Sequence, residues 1–150
     1  MVSSTPLAEQ AHLDRAARHI VIGSALADAG DEWAAVPMFY SAYHFVKAAL
    51  LVDPIWWDIQ RLQGTRPDLI PDDRFTKRHH GHRQTGRPRE WGINELVLVL
   101  YPSIARDYEQ LHVASIDVRY HEGLPSGALP DLRAAMDRIR AASESGALTA

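Results

Sequence analysis

Arg74 to Arg89 reads RFTKRHHGHRQTGRPR and gathers the two side chains best suited to handling a phosphate group without a metal. Six of the sixteen are Lys or Arg (Arg74, Lys77, Arg78, Arg83, Arg87, Arg89), three are His (His79, His80, His82), and none is an acid. Arginine presents a planar fork that pairs with phosphate oxygens. Histidine has an unperturbed pKa of about 6.5 and exchanges a proton near neutrality. Metal-independent RNA cleavage asks for that pair: a base near the 2′-OH and a cation near the phosphate. Any of the three His with an arginine of the run could supply that catalytic pair, His80 with Arg83 among them. Arg74, Arg78, His79 and His82 are candidate ligand contacts. The same run read blandly is a solvated loop with no site.

His79, His80 and His82 could also offer imidazole nitrogens to a transition metal. No acid lies within the run and the flanking arginines repel a cation, so neither a metal site nor a cofactor is expected. The whole chain of 150 residues carries −3, which leaves −9 outside the run. A positive patch on an acidic body is an address for an anion such as RNA, a nucleotide or an acidic protein partner.

Chain length bounds the scaffold that holds this run. The 150 residues fit one domain, core about 6–144, able to bury its own apolar surface. Zero cysteines exclude disulfides and Cys-ligated zinc, which suits a cytoplasmic protein. MVSSTPLAEQ lacks the charged and apolar regions of a signal peptide, and the strictly apolar runs are too short for a membrane span. There is no GxGxxG, Walker loop, HExxH or GxSxG, which lowers the case for nucleotide hydrolysis, zinc proteolysis and serine hydrolysis.

Helical spacing accounts for most of the chain. Thr5 and Pro6 open a helix over 6–29 that Gly30 closes. Asp31 caps a second helix over 32–52, apolar nearly all round and therefore the buried central one. Asp53-Pro54 stops it. Residues 53–90 read as one long irregular loop, with Ile55-Trp56-Trp57 able to start a short helix and fold back onto the core. Residues 92–119 read as one helix bent near Pro102, and 129–144 as a last amphipathic helix with a frayed tail after Ser145. The expected fold is all-α: an up-and-down bundle of four to five helices with one long basic loop between the second and third main helices.

Three pieces of this sequence resemble one group of bacterial HEPN-domain proteins, over roughly residues 10–122. The first is the helix from Asp31-Glu32-Trp33 through Phe39-Tyr40-Ser41-Ala42-Tyr43-His44. The second is His80-Gly81-His82-Arg83, similar to the group's H-x-x-R. The third runs from Tyr108-Glu109-Gln110-Leu111 through Ser115 to Val118-Arg119-Tyr120. The resemblance implies a helical bundle that dimerises. It also implies a metal-independent endoribonuclease of a toxin–antitoxin or defence system, a non-catalytic module that binds an antitoxin or other protein, or a nucleotide-binding protein. The family's Arg-x(4–6)-His ribonuclease spacing occurs at Arg74 with His79 or His80, and at Arg106 with His112. On an ideal helix Arg106 and His112 lie about 120° apart, so they would reach one site from different faces or across a dimer. The resemblance further implies that Arg119 and Tyr120 neighbour the His80–Arg83 pair, and that His44 lines the ligand cleft. Read without it, His44 is a hydrogen-bonded core histidine, and Arg119 makes a helix-end ion pair with Asp117 or Glu122. The tryptophans read as packing or dimer-surface residues, with base stacking by Trp56 or Trp57 as the alternative.

Overall fold

A computed structural model describes residues 5–65 and 93–150. The 74–89 run, and with it Arg74, Arg78, His79, His80, His82 and Arg83, lies outside the described residues.

Six α-helices make up the described chain: α1 Thr5–Asp28, α2 Ala35–Val52, α3 Ile59–Thr65, α4 Ile93–Leu100, α5 Pro102–Tyr120 and α6 Ala128–Glu144. Single 3-10 turns at Glu32–Ala34 and Pro54–Trp57 precede α2 and α3. There is no strand among the described residues, so the all-α bundle expected from the spacing is what forms.

The helix ends follow local chemistry. Gly30 takes φ 71°, and two backbone bonds, Gly30 N–H to Ala27 O and Asp31 N–H to Leu26 O (both 2.9 Å), close α1. Only glycine adopts that left-handed position without strain, which is why α1 stops there. The Asp31 carboxylate then accepts the Trp33 N–H at 3.0 Å and starts the next turn.

Helix α2 is the centre of the molecule, packed against α1, α4, α5 and α6. Met38, Phe39, Ala42, Val46 and Leu50 are fully buried along it. Their partners include Leu96, Val97, Ile104, Tyr108 and Leu111 from α4 and α5, and Leu132, Ala135, Met136 and Ile139 from α6. By length and composition, Glu32–Val52 is also apolar enough to cross a membrane, with mean hydropathy 1.3; here 67% of it is buried inside the bundle. Helix α1 approaches α2 through small residues. Ala16 and Gly23 are buried, and a Cβ on Gly23 would stand 3.2 Å from Met38 Cγ.

Three expectations need correction. The span 92–119 is two helices, not one bent helix. Tyr101 adopts φ −127° and ψ 62°, out of the helical region, because the ring of Pro102 disfavours α backbone in the residue before it. The 53–90 loop carries the short helical turn expected at Ile55-Trp56-Trp57, capped by the Asp53 side chain through Ile55 N–H, but α3 then follows where irregular chain is expected. The tail after Ser145 is docked, not frayed. Leu148 is buried, and Ala150 N–H donates to Asp53 Oδ2 at 2.8 Å.

Asp53 therefore joins distant parts of the chain. Its buried carboxylate accepts from Ile55 N–H (3.1 Å), the Tyr101 hydroxyl (2.9 Å) and Ala150 N–H. On the surface, Arg138 clamps Asp107 with two bonds of 2.8 and 3.1 Å and so ties α6 to α5.

Candidate functional site

The densest group of chemically competent side chains among the described residues spans α1 and α2. His12 and His19 are seven residues apart, two turns of α1, so they lie on one face about 10.5 Å apart along the axis. That gap admits one ring. His44 of α2 fills it, stacked on His12 (centroids 5.2 Å, planes 28° apart) and on His19 (5.5 Å, 7°). The small residues Ala16 and Gly23 alternate with these histidines along α1 and let α2 come close enough for the insertion.

The stack carries one defined polar contact. His12 Nδ1 and His44 Nδ1 lie 2.9 Å apart, so one nitrogen holds the hydrogen and the other accepts it. The contact exists only while at least one ring is neutral. Burial and the surrounding cations both favour that state. His44 is lowered to about 4, chiefly by burial and then by His12, His19 and Arg15. His12 is lowered by burial, Lys47 and Arg15, and His19 by burial, Arg15 and Arg18. All three rings are therefore neutral at pH 7. A neutral imidazole can accept a proton or a hydrogen bond, and an anion held beside it raises its basicity.

Aromatic residues surround the stack. Tyr43 packs edge-on against His44 at 5.1 Å, and Tyr40 stands 5.9 Å from His19. Burial and Tyr40 raise the Tyr43 hydroxyl, which stays protonated and acts as a donor. Through Phe39 the array reaches α5, where His112 lies 5.0 Å from the Phe39 ring and Tyr108 meets it edge-on at 5.5 Å. Asn94 joins the two: it accepts the Tyr108 hydroxyl at 2.6 Å and its amide meets His112 Nε2 at 3.2 Å. Lys47, one turn beyond His44, is buried with its ammonium 5.4 Å from the Trp56 ring centre.

The candidates named from sequence fall in different places. His44 is the hydrogen-bonded, buried histidine that the residues alone suggest, and it is the middle of a three-ring stack. Arg106 and His112 are not brought together. Arg106 lines a groove of about 660 Å³ between α5 and α6 with Val113, Asp117 and Leu132, whereas His112 faces Phe39 and Asn94. Arg119 turns back on its own helix, donating from Nε to Ser115 O at 3.1 Å and lying 5.2 Å over the exposed Tyr120 ring. Among the described residues it makes no ion pair with Asp117 or Glu122. Trp56 is buried, Trp57 donates to Leu51 O at 3.1 Å, and Trp33 is half-exposed.

His12 and His19 are the residues that sequence reasoning missed. The spacing of His12 fits the apolar stripe of α1, which disguises it. The available signal was the seven-residue repeat of one titratable residue type on a helix facing FYSAYH. No group of three or more His, Asp or Glu among the described residues could hold a metal ion. No family model, curated protein or solved structure matches the chain.

Proposed function

We propose that this chain is an HEPN-like helical module that binds RNA or another phosphate-bearing ligand on the face formed by α1 and α2. The observation that supports the reading is an imidazole cluster set among Arg15, Arg18 and Lys47 with no carboxylate hydrogen-bonded to it among the described residues. Such a cluster is electrostatically incomplete, and an anion completes it. The basic 74–89 run supplies further cations, with His80 and Arg83 the pair proposed to act on the ligand.

Two versions of this function differ in chemistry. In the first, a neutral imidazole takes the 2′-OH proton while arginine stabilises the phosphate charge, giving a metal-independent endoribonuclease. The experiment is RNA incubated with purified protein in EDTA. Fragments with 2′,3′-cyclic ends that disappear in the His80→Ala/Arg83→Ala variant support cleavage; intact RNA at high protein excess rejects it.

In the second, the module binds without cleaving and pairs with itself or with a protein such as an antitoxin. The exposed apolar side chains of Val21, Trp33 and Val113 favour this version. Sedimentation equilibrium tests self-pairing directly, and a monomer at all concentrations rejects the homodimer.

A further inference from the structure

His12, Arg15 and His19 follow one another on α1 at intervals of three and four residues and so share one face. Arg15, exposed on that face, is among the cations that disfavour protonation of all three stacked histidines. The groups facing the stack are Arg15 and Arg18 from α1, and Tyr40, Tyr43 and Lys47 from α2. The acids in this part of α1 bond to none of the three rings: Asp14 accepts from Gln10 at 2.8 Å, and Glu9 lies one turn before His12 without a bond to it.

Two features of this face stand without a partner. Arg15 and Arg18 are exposed, and neither has an ion-pair or hydrogen-bond partner among the described residues. His19 Nδ1 is buried and likewise has no partner there. A phosphate dianion offers several acceptor oxygens, enough for an arginine fork and two ring N–H groups at once. Its charge would also reverse the balance that keeps the imidazoles neutral, because an opposite charge within hydrogen-bonding reach favours the protonated ring.

We propose that Arg15, His12 and His19 form a binding site for a terminal phosphate group, and that filling it is coupled to protonation of the stacked histidines. This rests on the anionic-ligand reading and narrows it from phosphate in general to a phosphate monoester end. Reciprocity follows: the ligand raises the affinity for protons, and protons raise the affinity for the ligand by the same factor. The stack is thus both a wall of the site and its pH dependence.

Imidazole-resolved NMR titration of the full chain tests this, with inorganic phosphate and with a trinucleotide bearing either a 5′-phosphate or a 5′-hydroxyl as probes. Inorganic phosphate and the 5′-phosphorylated trinucleotide should raise the titration midpoints of His12 and His19 by about one pH unit, a tenfold coupling. Arg15→Gln, a change at an exposed position, should weaken phosphate binding about tenfold and abolish the midpoint shift. Arg15→Lys should restore part of both. Unshifted midpoints, or wild-type phosphate affinity in Arg15→Gln, overturn the site. Equal binding of the 5′-hydroxyl trinucleotide overturns the assignment to a terminal phosphate. RNA binding that survives alongside unshifted midpoints sinks this site and leaves the broader reading standing. Phosphate coupling without RNA binding does the reverse.

Discussion

His12 Nδ1 lies 2.9 Å from His44 Nδ1, although the two residues stand 32 positions apart and on different helices. One hydrogen shared between two imidazoles makes the α1–α2 contact sensitive to acid. The unfolded histidines bind protons at about pH 6.5, whereas folded His44 resists protonation down to about 4. Between those values the unfolded chain holds more protons, so stability increases with pH through that window. The contribution is fully present above about pH 6.5 and is lost as pH falls toward about 4. The unfolding free energy from denaturant titration should therefore fall on acidification from about pH 7 to pH 5, by an amount on the order of 2 kcal/mol. His44→Phe keeps a ring between His12 and His19 but cannot be protonated, and its unfolding free energy should change less over the same range. An equal acid sensitivity in the variant would count against the stack as its source.

Removing the Asp53 carboxylate strands a hydroxyl. Tyr101 is almost wholly buried and donates only to Asp53 among the described residues. Asp53→Ala should cost about 2–4 kcal/mol, since a buried donor is left without an acceptor and the Pro54 turn loses its cap. Tyr101→Phe alone should cost about 1 kcal/mol. The double variant should be more stable than the sum of the single losses implies, because the two residues share one bond. Additive urea-unfolding energies would show that they act separately.

Gly23 sets how closely α1 approaches α2. Its missing Cβ would sit 3.2 Å from Met38 Cγ and 3.5 Å from Met38 N. Alanine gains about 0.8–1.0 kcal/mol of helix propensity and loses a similar amount to crowding, so Gly23→Ala should be nearly neutral. Gly23→Val has no room and should destabilise by about 1–3 kcal/mol. It should also separate His44 from His12 and His19, which would raise the NMR midpoints of these rings. Valine tolerated with unchanged imidazole titration would refute the close approach.

Binding to a single-stranded polyanion carries a salt signature. Each cation that displaces a counterion contributes about 0.7 to the slope of log affinity against log salt. Arg78→Gln with Arg83→Gln should therefore make the RNA slope shallower by about 1.4 if both contact phosphates. An unchanged slope would place these two arginines away from the ligand.

The helical frame was legible because its signals are local. Gly30, Asp31 and Asp53 each act within a few residues, and the apolar run of α2 declares burial without knowing its partners. The split at Tyr101 was half-visible: Pro102 announces a disturbance, but the bond that holds Tyr101 in place there comes from Asp53, 48 positions away. Docking of the tail was invisible for the same reason. The site was read incompletely because a histidine at an apolar position looks like core until its neighbours across the helix interface are known. His44 was noticed through its motif. Its companions His12 and His19 have no local mark beyond their spacing.

Asp53 has a consequence for the order in which the molecule assembles. Its bonds to Tyr101 and Ala150 span 48 and 97 positions of chain, whereas the α1–α2 hairpin closes within a short turn. Long-range contacts of this kind are paid for in loop entropy and form after local ones. Interactions absent from the folding transition state affect the escape rate of the native chain and leave its arrival rate almost unchanged. Asp53→Asn should accordingly steepen nothing on the folding limb of a chevron and lift the unfolding limb, making this one carboxylate a determinant of the native lifetime.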